Sequence, residues 1–185
     1  MMLRYAITDP EYYGTTPQLL KNSCQRVLSS NHIDIISLRD KRSDDYEALA
    51  KAFLSLKPLF PKTLFFLHTH LKLALELEAD GLHLPSNMID RVEDASKSGK
   101  KVIVSTHSYE EAQICEREGA YGVTFGPIFK TPGKGTPKGL EKLKEITGKI
   151  GINIFALGGI LTQDQIDAVE RAGAAGFASI RYFVD

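Results

Sequence analysis

The residues of this chain that could do chemistry sit in loops following short apolar runs. The run Ile33–Leu38 leads into Arg39-Asp40-Lys41-Arg42. Alternation along an extended strand puts Ser37, Arg39 and Lys41 on one side, where a hydroxyl and two cations could grip an anion together. The same run also reads as a solvated charged loop. The stretch from Gly126 to Gly139 carries Lys130, Lys134 and Lys138, two threonines, four glycines and no acid. Amides, hydroxyls and ammonium groups in that proportion suit a mobile flap over phosphates, the alternative being a flexible surface loop. Further on, Ile154–Leu157 runs into Gly158-Gly159, and Gly176–Ile180 ends at Arg181. Glycine lets a backbone approach a ligand closely, so a side chain at Gly158 or Gly159 is expected to block that approach. His68, His83 and His107 follow or lie within neighbouring runs. They could gather around zinc, act as acid/base groups, or pack; no carboxylate accompanies them. His32 and His70 read as peripheral.

Regular elements must hold these residues. Apolar runs at Arg4–Thr8, Ile33–Leu38, Thr63–Leu67, Gly81–Leu84, Lys101–Ser105, Gly122–Phe125, Ile152–Leu157 and Gly176–Ile180 read as strands. Seven helical patterns separate them. Leu20, Cys24, Val27 and Leu28 share one helix face, as do Leu49, Ala52, Phe53 and Leu56. Pro17 suits a first helical position, and Ser108 with Glu111 and Thr162 with Gln165 have capping-box spacing. Continuous apolar strands alternating with helices imply a parallel sheet covered on its faces. Eight of them imply an α/β fold of the closed (β/α)8 type, a TIM barrel, formed by residues 1–185 as one domain. An open doubly wound sheet is the runner-up, but usually has fewer strands. In a barrel, the loops after strands seven and eight often hold a phosphate. Gly158-Gly159 and Ile180-Arg181 fall there. No helical pattern follows strand eight, so the seam between strands eight and one is expected to be bare. Tyr182, Phe183 and Val184, or the partner of a homodimer, would cover it.

Composition narrows the partners. The 23 basic residues balance 23 acidic ones, which argues against a nucleic-acid binder. The longest apolar runs are too short to span a membrane, and the first residues lack a signal-peptide build. Cys24 and Cys115 read as small core residues of a cytoplasmic protein rather than a disulfide.

Taken in order, several segments resemble the thiamine phosphate synthase/thiazole tautomerase (TenI) family. They are Arg39-Asp40-Lys41, Ala79-Asp80-Gly81-Leu82-His83-Leu84, Val104-Ser105-Thr106-His107-Ser108, Gly126-Pro127-Ile128-Phe129-Lys130-Thr131-Pro132 and Ala156-Leu157-Gly158-Gly159-Ile160. The resemblance implies a barrel that binds thiazole phosphate near Thr131, Gly133, Gly158, Gly159, Ile180 and Arg181. It places a pyrimidine diphosphate across the barrel, near Ser37, Arg39, Lys41, His68, Ser105 and Lys134. The synthase of this family expels pyrophosphate from the pyrimidine methyl carbon, and the thiazole nitrogen captures the resulting cation. That step needs cations and Mg²⁺ at the leaving group.

The chain departs from the family at informative places. The synthase's magnesium aspartates follow strands three and four, where this chain has His68-Thr69 and Pro85-Ser86-Asn87-Met88. Neutral side chains are poor substitutes for carboxylates toward Mg²⁺. The glutamine that usually precedes the Arg-x-Lys pair is Ser37, and the serine that ends strand eight is Arg181. Leu84-Pro85-Ser86 resembles the tautomerase branch, yet that branch's catalytic histidine is Pro127 here. The resemblance therefore implies a TenI-like protein on thiazole phosphate, with His107 the candidate acid/base and no resident metal. The alternatives are an active synthase, with Mg²⁺ held by the diphosphate and Arg39, Lys41 and Lys134 supplying charge, or a non-catalytic thiazole-phosphate or thiamine-phosphate binder.

Overall fold

A computed structural model describes residues 1–184. The apolar runs fold as strands β1 (Leu3–Ile7), β2 (Ile35–Leu38), β3 (Leu64–His68), β4 (Gly81–Leu84), β5 (Lys101–Thr106), β6 (Gly122–Phe125), β7 (Asn153–Leu157) and β8 (Gly176–Ser179). They pair in parallel, each with the next, and β8 closes on β1 through Leu3–Gly176 to Ala6–Ser179. The result is the (β/α)8 barrel that the alternating pattern predicts. Helices α1 (Pro10–Tyr13) and α2 (Pro17–Ser30) follow β1. Then come α3 (Tyr46–Leu54), α4 (Leu71–Glu76), α5 (Val92–Lys97), α6 (Tyr109–Arg117), α7 (Gly139–Thr147) and α8 (Gln163–Arg171), each crossing to the next strand.

Local chemistry starts these helices. Pro17 opens α2 behind Thr16, whose hydroxyl accepts from the Leu19 amide. Thr162 and Gln165 form the full capping box of α8. At α6 the serine half of the box forms, but Glu111 reaches back to the His107 amide. Helix α1 is an addition to the seven helical patterns. Asp9 caps it by accepting from the Glu11 amide, and Pro10 sits in its first turn. One face of each helix packs on the barrel's outside, where Cys24 and Cys115 are both buried free thiols.

Inside the barrel the side chains stack in layers, as alternation requires. Tyr5, Phe66, Ile103 and Phe155 of the odd strands form a broad central layer. Glycines in the even strands make room for its rings. A Cβ on Gly81 would lie 2.4 Å from the Phe66 ring, and one on Gly176 would lie 2.7 Å from Phe155. Above this layer the even strands contribute Ser37, His83, Thr124 and Ala178, all buried. The apolar plug thus ends in a polar floor at the C-terminal ends of the strands.

Past β8 the chain turns through Arg181–Val184. Phe183 is buried and stacks on Phe177 at 5.7 Å between ring centres. Asn31, at the end of α2, donates from Nδ2 to the Phe183 carbonyl at 3.3 Å. Among the described residues no helix follows β8, and aromatic residues of this turn pack over the seam between β8 and β1.

Candidate active site

A cavity of about 590 Å³ opens at the C-terminal ends of the strands. Of the residues singled out from the sequence, Arg39, Lys41, His68, Ser105, His107, Thr131, Lys134, Gly158, Gly159, Ile180 and Arg181 line it. Ser37 and Gly133 do not. Ser37 points inward as alternation predicts, but it is wholly buried beneath His68, whose Nε2 lies 3.0 Å from its hydroxyl. Gly133 lies at the exposed tip of the loop after β6, with no atom within 4 Å of where a Cβ would stand.

The cations are arranged unequally. The Arg39 guanidinium donates to Asp9 Oδ2 at 2.9 Å, and the Arg39 amide donates to the Thr8 hydroxyl at 2.9 Å. Arg39 is thus oriented by the end of β1, with part of its charge already offset. Lys41 and Lys134 are exposed at the rim, and Arg181 lines the wall half-buried. Asp40 also lines the cavity, but its carboxylate accepts from the Arg42 and Ser43 amides and the Ser43 hydroxyl. Burial opposes ionisation there, yet these hydrogen bonds win and hold the group below the usual carboxylate range.

The loop after β6, which the sequence suggests as a flap, is tied down at its base. The Ile128 amide donates to the Leu157 carbonyl at 2.9 Å, and the Phe129 amide donates to Gly158 at 3.0 Å. Lys138 and Gly139 donate back to Pro127 and Ile128, closing the loop at its base. The outer residues 132–137 are exposed, with the Lys134 amide donating to the Thr131 carbonyl at 3.2 Å. The same pairing explains Gly158 and Gly159. A Cβ on Gly158 would lie 2.6 Å from Pro127 Cα, and one on Gly159 would lie 2.6 Å from the Lys130 carbonyl oxygen. Both have positive φ, 103° and 68°. The neighbouring loop, before any ligand, demands glycine at these positions.

The three histidines separate into a pair and a singleton. His68 and His83 stack with centroids 4.3 Å apart and planes 15° apart. Burial lowers the pKa of both, with neighbouring charge adding to it: His68 falls well below the ordinary value and His83 to about 3. Both imidazoles are therefore neutral at pH 7. His83 is further bonded to Tyr5 and Ser105. His107 stands apart and exposed at the end of β5, its Nδ1 3.0 Å from the Gly126 carbonyl oxygen. Among the described residues, no group of three His, Cys, Asp or Glu side chains comes together to hold a metal ion.

Several contributors escape a reading of the sequence. Tyr46 fixes the end of β3: its hydroxyl donates to the Leu38 carbonyl at 2.8 Å and accepts from the His68 amide at 3.0 Å. Its ring lies tilted against that of His70, which lines the cavity rather than lying at the periphery. Thr69 takes φ 69°, an uncommon conformation for a β-branched residue, with its amide donating to the His83 carbonyl. Thr124 lines the cavity with its hydroxyl buried and, among the described residues, without a hydrogen-bond partner. Only alternation could have pointed to Thr124, and nothing local to Tyr5 or Asp9.

Known proteins share this layout. The sequence pattern of the family described as thiamine monophosphate synthase matches residues 4–183. A putative thiamine-phosphate synthase 2 of Aquifex aeolicus is 35% identical over 190 aligned positions, covering 98% of this chain and 97% of that one. A thiamine-phosphate synthase of Halalkalibacterium halodurans is 33% identical, covering 97% and 86%. The solved structure of thiamine phosphate pyrophosphorylase from Pyrococcus furiosus superposes with a TM-score of 0.81 at 26% identity, covering 97% and 85%. A 3-hexulose-6-phosphate synthase at 20% identity and TM-score 0.66 shares the barrel alone. A closed barrel with this cavity, and a match running nearly from end to end, place the chain in the thiamine monophosphate synthase family.

Proposed function

We propose that this chain binds a phosphorylated thiazole and shifts a proton on it, with His107 as the acid/base group. The phosphate would sit by Gly158-Gly159 and Ile180-Arg181, within reach of Thr131 and Lys134. The orientation of His107 carries the reading. A carbonyl oxygen can only accept, so the contact with Gly126 puts the hydrogen on Nδ1 and leaves the lone pair on Nε2. An imidazole held in that tautomer at a cavity wall is set to take a proton from one atom of a ligand and return it to another. The exchange balances without oxidant or reductant.

The donor set across the cavity supports an isomerase over a magnesium-dependent synthase. Thr69, Ser86 and Asn87 offer only neutral oxygens, and Asp40 is already engaged by its own turn. Such a set fits Mg²⁺ poorly. The relatives' names favour the second reading, an active synthase, with Arg39, Lys41 and Lys134 bearing on a diphosphate. A non-catalytic binder is the third.

The readings separate in two assays. Protein with both phosphorylated substrates and Mg²⁺ is followed for pyrophosphate, and protein with a thiazole phosphate isomer is followed by NMR. Isomerisation that His107→Ala abolishes, with no pyrophosphate, is the expected result. Magnesium-dependent pyrophosphate release would replace it with the synthase reading. Tight binding without turnover in either assay would leave only a binder.

A further inference from the structure

The floor of the cavity is not level. Alternation sets Ile7, His68, Ser105 and Leu157 of the odd strands one layer above the even-strand layer of Ser37, His83, Thr124 and Ala178. The upper four all line the cavity. Thr124 and Ala178 line it from the layer below, whereas Ser37 is shut off under His68. On the side of β6 and β8 the cavity therefore reaches one layer deeper, past Ser105 and Leu157. The small side chain of Ala178 leaves that depth open, and Thr124 borders it.

The Thr124 hydroxyl is buried there and, among the described residues, has no hydrogen-bond partner. Its neighbours account for this. In the sheet, Thr124 lies between Ser105 of β5 and Phe155 of β7. The Ser105 hydroxyl turns to His83 Nε2 at 2.8 Å, and the other His83 nitrogen meets Tyr5. The Ser37 hydroxyl meets His68. Phe155 and Ala178 offer nothing polar. A buried hydroxyl without a partner disfavours the folded state, whereas a methyl group of the same shape would not. Thr124 thus weakens the fold at the one place in its layer where a polar atom can arrive from outside, through the cavity.

We propose that Thr124 is a specificity-determining residue, whose hydroxyl donates to a ring nitrogen of a phosphorylated heteroaromatic ligand seated in this depression. The strand order suits such a ligand. Gly158 and Gly159 end β7, the strand beside β6, so a phosphate held there leaves its ring above Thr124. A ring with carbon at this edge would fill the same space and leave the hydroxyl unmet. Nitrogen against carbon at one ring position is therefore what the residue distinguishes. That the ring is a thiazole rests on the function proposed above; the demand of Thr124 for a polar atom does not.

The test compares wild type with Thr124→Val, which keeps the shape and loses the hydroxyl, and Thr124→Ser, which keeps the hydroxyl. Pyridine and benzene, alike in shape but for one nitrogen, are titrated while NMR follows the backbone amides of β6 and β7. The ratio of pyridine to benzene affinity is expected to fall roughly three- to tenfold in Thr124→Val, the range of one net hydrogen bond, and to recover in Thr124→Ser. An unchanged ratio, or absence of both fragments from this depression, would overturn the proposal. Thermal unfolding without ligand reads the other side. The Thr124→Val midpoint is expected to hold or rise, and a fall would overturn the proposal by showing that the hydroxyl serves the fold. Calorimetry with thiazole phosphate is expected to show the same three- to tenfold loss in Thr124→Val, with inorganic phosphate binding unchanged. Equal thiazole phosphate affinity in both proteins would overturn it as well. Wild type that ignores thiazole phosphate yet keeps a Thr124-dependent preference for pyridine would remove the thiazole reading and uphold Thr124.

Discussion

Asp9 and Arg39 form a 2.9 Å ion pair across the ends of β1 and β2, with each side chain less than a third exposed. The sequence presents Arg39 as a free cation beside Lys41. In the fold, a carboxylate that the chain supplies thirty residues earlier faces it. The pair holds the guanidinium in place but offsets part of its attraction for anions.

That arrangement predicts an anion-affinity gain on losing Asp9. Asp9→Asn keeps an acceptor for the α1 cap but removes the negative charge. Inorganic pyrophosphate should then bind more tightly by on the order of 1 kcal/mol, the scale for partly solvated charges a few ångströms apart. The gain should shrink as salt is raised. Calorimetry at two ionic strengths checks both. Weaker binding by the variant would mean that orientation of Arg39 outweighs its charge.

Gly158 yields a stability prediction. Its φ of 103° and the 2.6 Å approach to Pro127 leave no room for a Cβ. Gly158→Ala should therefore destabilise the protein by about 2 kcal/mol or more, from backbone strain and displaced loop atoms. Thermal unfolding without ligand measures this. An unchanged midpoint would return the glycine to a role in ligand approach alone.

Much of this fold was legible in the sequence because buried parallel strands are nearly continuous apolar runs, and the crossovers between them are amphipathic. Eight runs gave eight strands, and alternation correctly turned Ser37 inward. What escaped depends on three-dimensional closure. Ser37 lies under His68 rather than in the cavity because β3 comes alongside β2 with Ser37 opposite Phe66. The base of the loop after β6 is pinned by carbonyls of β7 that no local pattern marks. Tyr5 finds His83 across 78 positions of chain, so an aromatic in the first strand reads only as core. The short α1 was visible in Asp9-Pro10 but has too few residues to show a periodicity.

The buried histidines predict a pH dependence. His83 titrates near 3 in the fold against an ordinary value of 6.5, because burial disfavours its charged form. Between those values the unfolded chain binds a proton that the folded one does not, so stability falls as pH drops below about 6.5. At pH 5, His83 alone should remove about 2 kcal/mol relative to neutral pH. Urea unfolding at pH 7 and pH 5 reads the difference, and His83→Gln, which cannot titrate, should show a smaller loss. Equal losses in both proteins would place the titration elsewhere.

Phe183 tests how the seam is closed. Its ring is buried and nearly parallel to Phe177, and Tyr182 packs edge-on against both at 5.1 and 5.2 Å. Among the described residues no helix follows β8, and this turn supplies the apolar cover at that edge. Phe183→Ala should cost about 3 kcal/mol, the usual scale for truncating a buried aromatic. Tyr182→Ala should cost less, because Tyr182 is only half-buried. If the turn alone suffices, wild type sediments as a monomer at micromolar concentration and unfolds independently of concentration. A loss below 1 kcal/mol for Phe183→Ala, together with a dimer in sedimentation, would instead put a second copy of the chain over the seam.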